Sequence, residues 1–370
     1  MMNSGIDYMK LSNIQDIVRP NGIVVFVTGC SGQVGSYMVD YLLRETNAHV
    51  IGGARRLSVE NHINLRHLEN ESRFRLVNFD LTDFHSIYKI IEFSKPDYFI
   101  NFAGQSFVAS SWDFPRQTWE CNSTAVLDCL EAIRKNVPTC RFYNAGSSEQ
   151  FGNVDYVPQD EKHPFKPRNP YGASKCAAHH IIKVYRESYG LYAVQGLLFN
   201  HESERRGEEF VTRKITVGIS RIVGEIKNGK SVKPIELGNV DSKRDWSHAE
   251  DFVDGIWKML NQPTPKDYVL SSGETHSIRE FVELAFKSAG YLGNWNFING
   301  TSPEHETFII KTGNELVETV KINKEFYRPA EVDILLGNSE LIRRELGWKP
   351  NINFESLVSR MVENDLRNVV

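Results

Sequence analysis

The chain reads as an α/β protein in which a doubly wound parallel sheet is followed by a smaller C-terminal α/β lobe. Three observations predict this. Short apolar runs alternate with amphipathic segments over roughly the first 200 residues. A glycine-rich turn, Thr28-Gly29-Cys30-Ser31-Gly32-Gln33-Val34-Gly35, follows the first run directly. Polar, reactive-looking residues cluster just past the ends of the later runs, where open parallel sheets receive ligands.

The elements are expected in the following order. Residues 1–21 carry Asp7 and Asp16 and no continuous apolar segment, so they read as an N-terminal extension and not as a signal peptide. Val24 to Val27 is the first strand. Val34 to Leu43 has helical spacing through Met38, Val39, Leu42 and Leu43. Further strands are expected at His49–Ile51, Phe74–Phe79, Tyr98–Ile100, Arg141–Tyr143 and Ala193–Phe199. Residues 201–245 are rich in charge and glycine. A helix follows from His248 to Leu260, with Phe252, Ile256 and Leu260 on one face, then a strand at Tyr268–Leu270. Ser277 and Glu280 form a capping box for a helix ending at Gly290. Residues 291–338 are mixed and polar. Ser339 is expected to cap a short helix stopped by Gly347 and Pro350, and a last helix runs from Phe354 to Leu366 with Leu357, Met361 and Val362 inward.

Composition narrows the function. The 370 residues carry a net charge of -4, which gives no reason to expect nucleic acid as a partner. No apolar run approaches a membrane span. Cys30, Cys121, Cys129, Cys140 and Cys176 include no C-x-x-C pair, so they are expected as free thiols in a reducing cytoplasm, with no metal site. Cys176 is expected to be small buried packing, not a nucleophile.

In the glycine turn, Gly29 permits a tight turn after the strand, Gly32 admits a pyrophosphate to backbone N–H groups, and Gly35 allows close helix–strand packing. The fold is therefore of Rossmann type. The second strand runs into Arg55-Arg56 with no Asp or Glu at its end. Two guanidiniums there suit a 2′-phosphate, so NADP is expected over NAD. Asp80 and Leu81 are expected to border the adenine, and Phe102, Ala103, Gly104, Gln105 and Ser106 the nicotinamide side.

Pro170 is a good first helical residue after Asn169, and it places Tyr171 and Lys175 at i and i+4 on one face. The ammonium would draw the phenol toward phenolate, and Tyr171 would take the proton of a sugar hydroxyl while hydride leaves to the dinucleotide. Ser147 would hold that hydroxyl. Glu149 adds a carboxylate that simple alcohol oxidation does not need. Once a 4-keto group forms, it can remove the C5 proton and protonate the departing C6 hydroxide. The pattern points to a dehydration.

These residues resemble the GDP-mannose 4,6-dehydratase family of the extended short-chain dehydrogenase/reductases, from about Val24 to Leu366. The most specific strings are Tyr143 to Glu149, Leu198 to Gly207, Phe210 to Ile215, Leu237-Gly238-Asn239, Lys243-Arg244-Asp245-Trp246 and Arg328 to Asp333. The resemblance implies Ser147, Glu149, Tyr171 and Lys175 as the catalytic set. It implies NADP binding by Gly29, Ser31, Gly32, Gln33, Val34 and Gly35, by Arg55, Arg56, Asp80 and Leu81, by Phe102 to Ser106, and by Lys175, His201 and Arg206. It implies that Ser106, Asn200, Lys214, Gly238, Arg244, Arg328 and Glu331 hold a GDP-linked hexose or heptose, and that the protein is a homo-oligomer, a dimer or a tetramer. The expected division is the 1–21 extension, an NADP-binding domain over 22–200 with 246–275 returning to it, and a nucleotide-sugar lobe built from 201–245 and 276–370.

Some positions depart from the family. Ser147 stands where Thr is usual, Glu204 where Pro is usual and Gln117 where Tyr is usual. Arg55-Arg56-Leu57-Ser58 lacks the serine-rich continuation. The altered 106–117 stretch keeps a GDP-manno-heptose open as substrate beside GDP-mannose. A nucleotide-sugar decarboxylase or epimerase, and a non-catalytic dinucleotide sensor, are the competing readings.

Overall fold

The structure is a computed structural model, and it describes residues 8–9, 22–56, 58, 62–296, 306–327 and 334–367. The chain folds as two compact units: one of residues 1–199, 249–270 and 337–349, the other of 200–248, 271–336 and 350–370.

The first unit is built on an eight-stranded sheet. Its order is Tyr8–Met9, Phe74–Asn78, His49–Ala54, Val24–Thr28, Tyr98–Asn101, Arg141–Ala145, Ala193–Leu198, Tyr268–Leu270, and every neighbouring pair is parallel. Strands buried on both faces explain the near-continuous apolar runs. The two-residue alternation sends Val25, Val27 and Ile100 to one face and Val24, Phe26 and Phe99 to the other. The first face packs on Met38, Val39 and Leu42 of helix Gln33–Glu45, on Phe252 and Ile256 of helix Ala249–Leu260, and on Ile342 and Trp348. The second packs on helices Phe84–Ser94, Ala125–Asn136 and Pro170–Tyr189. Helices on both faces make the sheet doubly wound. Strand order reverses at Val24–Thr28, between His49–Ala54 and Tyr98–Asn101, and that reversal opens a crevice at the strands' carboxyl ends.

Every strand and helix named from the sequence in this unit forms, with ends shifted by a few residues at most. Three placements differ from expectation. Two residues of the N-terminal extension, Tyr8 and Met9, pair in register with Leu76 and Val77 at the sheet edge. Residues 337–349, expected in the lobe, belong to this unit. The hydroxyl of Tyr268 and the ammonium of Lys266 both donate to Glu345, and Trp348 Nε1 donates to the carbonyl of Asp251. Residues 200, 246–248 and 271–275, expected in the sheet domain, belong to the second unit. The helix Glu340–Leu346 has Ser339 at its N-cap position, but the side chain makes no cap bond; Asn338 Oδ1 accepts from the N–H of Glu340 instead.

Among the described residues the second unit holds three small sheets. Asn200–Glu202 pairs in parallel with Trp246–His248, and Lys243–Arg244 lies between His276–Ser277 and Ile334–Leu335. The largest has four strands, in the order Gly293–Asn296, Thr307–Thr312, Glu315–Ile322, Ile235–Leu237. Its core joins Ile215, Ile219 and Ile222 of helix Val211–Lys227 to Phe281 and Phe286 of helix Ile278–Ser288 and to Leu357, Met361 and Val362 of helix Phe354–Leu366. The Ser277–Glu280 capping box forms as expected.

Candidate active site

The crevice begins at the glycine turn. Gly29 has φ +61°, and a Cβ built there would come within 2.9 Å of the N of Ala103. One at Gly35 would stand 2.2 Å from the carbonyl oxygen of Gly29, so backbone fills the space any side chain would need. Helix Gln33–Glu45 starts behind the turn with Gly32 as N-cap and no side-chain cap bond. A helix start without a side-chain cap, behind a cradle lined by backbone, fits the pyrophosphate of a dinucleotide.

Thr28, a residue with no role expected from its place before the glycines, organises the opposite wall. Its hydroxyl donates to Asn101 Oδ1 at 2.6 Å and accepts from the N–H groups of Phe102 and Ala103, each at 3.0 Å. Asn101 donates in turn to Asn144 at 2.8 Å. This buried relay ties the ends of three strands together beneath the loop. Asn122 clamps the same loop through the N–H and carbonyl of Gln105. Both clamps satisfy backbone groups of the 102–106 loop that no strand or helix pairs. A polar residue buried at a parallel strand's carboxyl end was the signal available in the sequence.

The other dinucleotide candidates of the first unit follow the ends of its neighbouring strands. Arg55 and Arg56 are exposed at the end of the second strand, where the N–H of Arg56 donates to Asn78 Oδ1. Asp80 Oδ1 accepts from the N–H and hydroxyl of Thr82, and Leu81 is buried beside it. Phe102 packs against Tyr143, with ring centroids 5.7 Å apart, and Ser106 is exposed.

The reacting candidates come together from two elements. Ser147 and Glu149 sit on a single 3-10 turn, Ser148–Gln150, that follows strand Arg141–Ala145. Ser147 caps that turn: its Oγ accepts from the N–H of Glu149 at 3.2 Å, and its own N–H donates to Gln150 Oε1 at 2.9 Å. Tyr171 and Lys175 lie on helix Pro170–Tyr189, which begins with Pro170 behind the cap residue Asn169. Asn169 Nδ2 donates to Glu149 Oε2 at 2.9 Å and so joins turn to helix. The ammonium of Lys175 lies 5.7 Å from the Tyr171 ring centroid, donates to the carbonyl of Ala145 at 2.8 Å, and stands 3.9 Å from a Cβ built on Gly104. Burial pushes the Lys175 ammonium from 10.5 down to about 8. Ser147, Glu149, Tyr171 and Lys175 are each nearly buried, at 7–9% exposure. Cys176, next along the helix, is half-buried with Sγ 3.7 Å from the Gln150 carbonyl, and burial pushes its thiol up to about 12, which disfavours the thiolate a nucleophile needs.

The second unit carries the remaining candidates. Arg206 Nε lies 3.1 Å from Glu202 Oε2 and its guanidinium 3.5 Å from the Phe210 ring centroid. Burial raises the Glu202 carboxyl while Arg206 opposes that rise. His201 pairs in register with Ser247, one residue along from Asn200, whose Oδ1 is buried and takes no hydrogen bond from the described residues. Lys214 Nζ sits 3.6 Å from the Phe326 ring centroid, and burial lowers its ammonium against the pull of Glu236. Gly238 abuts the Phe326 carbonyl, where a Cβ would come within 2.6 Å. Arg244 is buried. Arg328, Glu331 and Leu57 lie outside the described residues. No helix among the described residues is long and apolar enough to cross a membrane.

A doubly wound sheet with a glycine turn at its switch point, and a Ser-x-Glu turn docked on a Tyr-x-x-x-Lys helix, define an extended short-chain dehydrogenase/reductase. Solved structures of that kind share the fold. DesIV, a dTDP-glucose 4,6-dehydratase from Streptomyces venezuelae with NAD and TYD bound, aligns over 94% of this chain and 98% of its own with TM-score 0.76 at 21% identity. RMD from Pseudomonas aeruginosa, complexed with NADPH, aligns over 93% of this chain and 99% of its own with TM-score 0.70 at 23% identity. The chain belongs to the GDP-mannose 4,6-dehydratase family, whose model matches residues 26–361. It is 42% identical over 356 residues to the GDP-mannose 4,6 dehydratase of Drosophila melanogaster (93% of this chain, 86% of that one). It is 40% identical over 351 residues to that of Homo sapiens (93% and 91%). The expected class, a hydro-lyase, is the class of that family.

Proposed function

We propose that the protein removes water from GDP-mannose, or from a close GDP-manno sugar, to give the 4-keto-6-deoxy product with NADP held in the crevice. The observation that carries this reading is the docking of Glu149 onto the start of the helix that bears Tyr171 and Lys175. A carboxylate there is what separates dehydration from plain oxidation. Family membership supports the GDP-sugar.

The cradle at Gly29 and Gly35, the helix start at Gly32 to Gly35 and the Phe102 to Ser106 loop would hold the dinucleotide. When bound, it supplies a reversible hydride acceptor that takes hydride at C4 and returns it at C6. Tyr171 accepts the C4 hydroxyl proton, with Lys175 as the adjacent positive charge and Ser147 as hydrogen-bond partner to the same hydroxyl. Glu149 then takes the C5 proton. The C–H electrons form the C5–C6 double bond as the C6–O bond breaks, and the leaving hydroxide departs as water with that proton. The proton collected at C4 balances the one that C5 regains, so the net change is loss of one water.

NADP over NAD is supported by Arg55 and Arg56 at the end of a strand that carries no acid there. Asn200, Lys214, Gly238 and Arg244, with Arg328 and Glu331, are proposed for the GDP-sugar, and His201 and Arg206 for NADP. The proposed oligomer is a dimer or tetramer. Free thiols at all five cysteines support a reducing, cytoplasmic setting. The test is incubation of the purified protein with GDP-, dTDP- and UDP-sugars. A product lighter by one water, from GDP-mannose or the heptose analogue alone, is the expected result. Release of carbon dioxide from a uronic substrate, or epimer without loss of water, would overturn it.

A further inference from the structure

Glu149 is anchored at two points and open at a third. Its backbone N–H is held by Ser147 Oγ, and its Oε2 accepts from Asn169 Nδ2 at 2.9 Å. No hydrogen bond from a described residue reaches Oε1. Asn169 is itself 7% exposed and uses both ends of its amide, because its Oδ1 accepts from the N–H of Gly172 at 2.7 Å. A backbone N–H can only donate. The amide oxygen must therefore face Gly172, and the amide NH₂ must face the carboxylate. Pro170 follows directly and restrains the backbone of Asn169 to the extended conformation it shows (φ -145°, ψ 161°).

We infer that Asn169 is a positioning residue for the proton transfer at C5: it holds Oε2 of Glu149 and leaves Oε1 as the atom that takes and gives up the proton. This rests on the dehydratase reading above. Oε2 can accept from Asn169 whether or not Oε1 carries a proton, so the bond persists through both halves of the elimination and nothing reorganises between them. At Oε1 the O–H bond forms as the C5–H bond breaks. The C–H electron pair becomes the second bond between C5 and C6, and the C6–O pair leaves on hydroxide, which takes the proton from Oε1 as water. The same side chain also starts the helix that carries Tyr171 and Lys175, so one amide registers the C5 carrier against the C4 carrier.

The experiment compares Asn169→Ser and Asn169→Asp with the parent protein, each carrying its dinucleotide and given GDP-mannose in heavy water. Both substitutions keep an oxygen for the Gly172 N–H, so the helix cap survives. Neither presents an amide N–H to Glu149. The expected result is a loss of deuterium uptake at C5 and of product formation on the order of ten- to a hundredfold, the effect of losing one hydrogen bond to a charged group. KM for GDP-mannose and the melting temperature of the Ser variant stay at parental values. Oxidation at C4 continues, so the absorbance of reduced nicotinamide accumulates during turnover. Parental C5 exchange in both variants would overturn the inference, as would an equal loss of C4 oxidation. Glu149→Gln, run alongside, separates the two levels. If that variant is inactive while both Asn169 variants behave as the parent, the positioning role alone falls. If Glu149→Gln turns over fully, the dehydration reading falls and takes this inference with it.

Discussion

Replacing Lys175 by Met should make the protein more stable and inactive at the same time. The ammonium is buried, and desolvation alone pushes it from 10.5 down to about 8. An unfolded lysine holds its proton up to about pH 10.5, whereas the folded one releases it at about 8. Below pH 8 both states are protonated and the folded state bears the whole cost, roughly 3 kcal/mol. Between about 8 and 10.5 the unfolded state binds more protons, so stability rises with pH across that window. Above it the cost is gone. Met fills a similar volume without charge but leaves the Ala145 carbonyl without this donor, a loss of about 1 kcal/mol. The net gain at pH 7 is about 2 kcal/mol, or roughly 4–8 °C in melting temperature for a unit of this size. The assay is thermal melting of both proteins, stripped of nucleotide, from pH 7 to 10. The gap should be widest at pH 7 and narrow as pH rises past 8. A variant no more stable than the parent at pH 7, or a gap that ignores pH, would refute the reasoning.

The same titration bears on turnover. If the Lys175 ammonium is needed, the rate should fall above about pH 8 in a pH–rate profile, and a profile flat to pH 10 would contradict its role. Glu149→Gln keeps an oxygen to accept from Asn169 but removes the proton carrier, so kcat should drop by about 10²–10⁴ with little change in melting temperature. Arg55→Ala should weaken NADP about tenfold or more, the value of a charge-assisted contact, and leave NAD nearly unchanged in binding titrations. Equal losses for both dinucleotides would show that this strand end does not read the 2′-phosphate.

Much of the first unit was legible because its signals are local. Buried parallel strands need apolar runs, and Val24 to Val27, Tyr98 to Ile100 and Ala193 to Phe199 supply them. The Ser277–Glu280 box and the Asn169-Pro170 helix start were readable for the same reason. The second unit was read poorly, although part of its signal was present. Ile215, Ile219, Ile222 and Val223 repeat at helical spacing, yet the stretch 201–245 reads first as rich in charge and glycine, with Arg213 and Lys214 among its charges, and no element is expected there. Gly313-Asn314 between Thr312 and Glu315 is a tight-turn dipeptide joining two strands of the four-stranded sheet. The short strands at Asn200–Glu202 and Lys243–Arg244 carry no readable pattern, because two or three residues cannot show a period.

Residue identity and spacing were sufficient for the strands of the sheet, the glycine turn, the i, i+4 placement of Tyr171 and Lys175 and the strings that mark the family, since each of these is written in neighbours within a few positions along the chain. Contacts between distant segments are another matter. That Asn169 holds Glu149, that Thr28 ties Asn101 to the 102–106 loop, and that residues 337–349 pack with the sheet and not with the lobe became visible only in the folded chain. Packing brings together side chains whose separation in sequence says nothing about their separation in space.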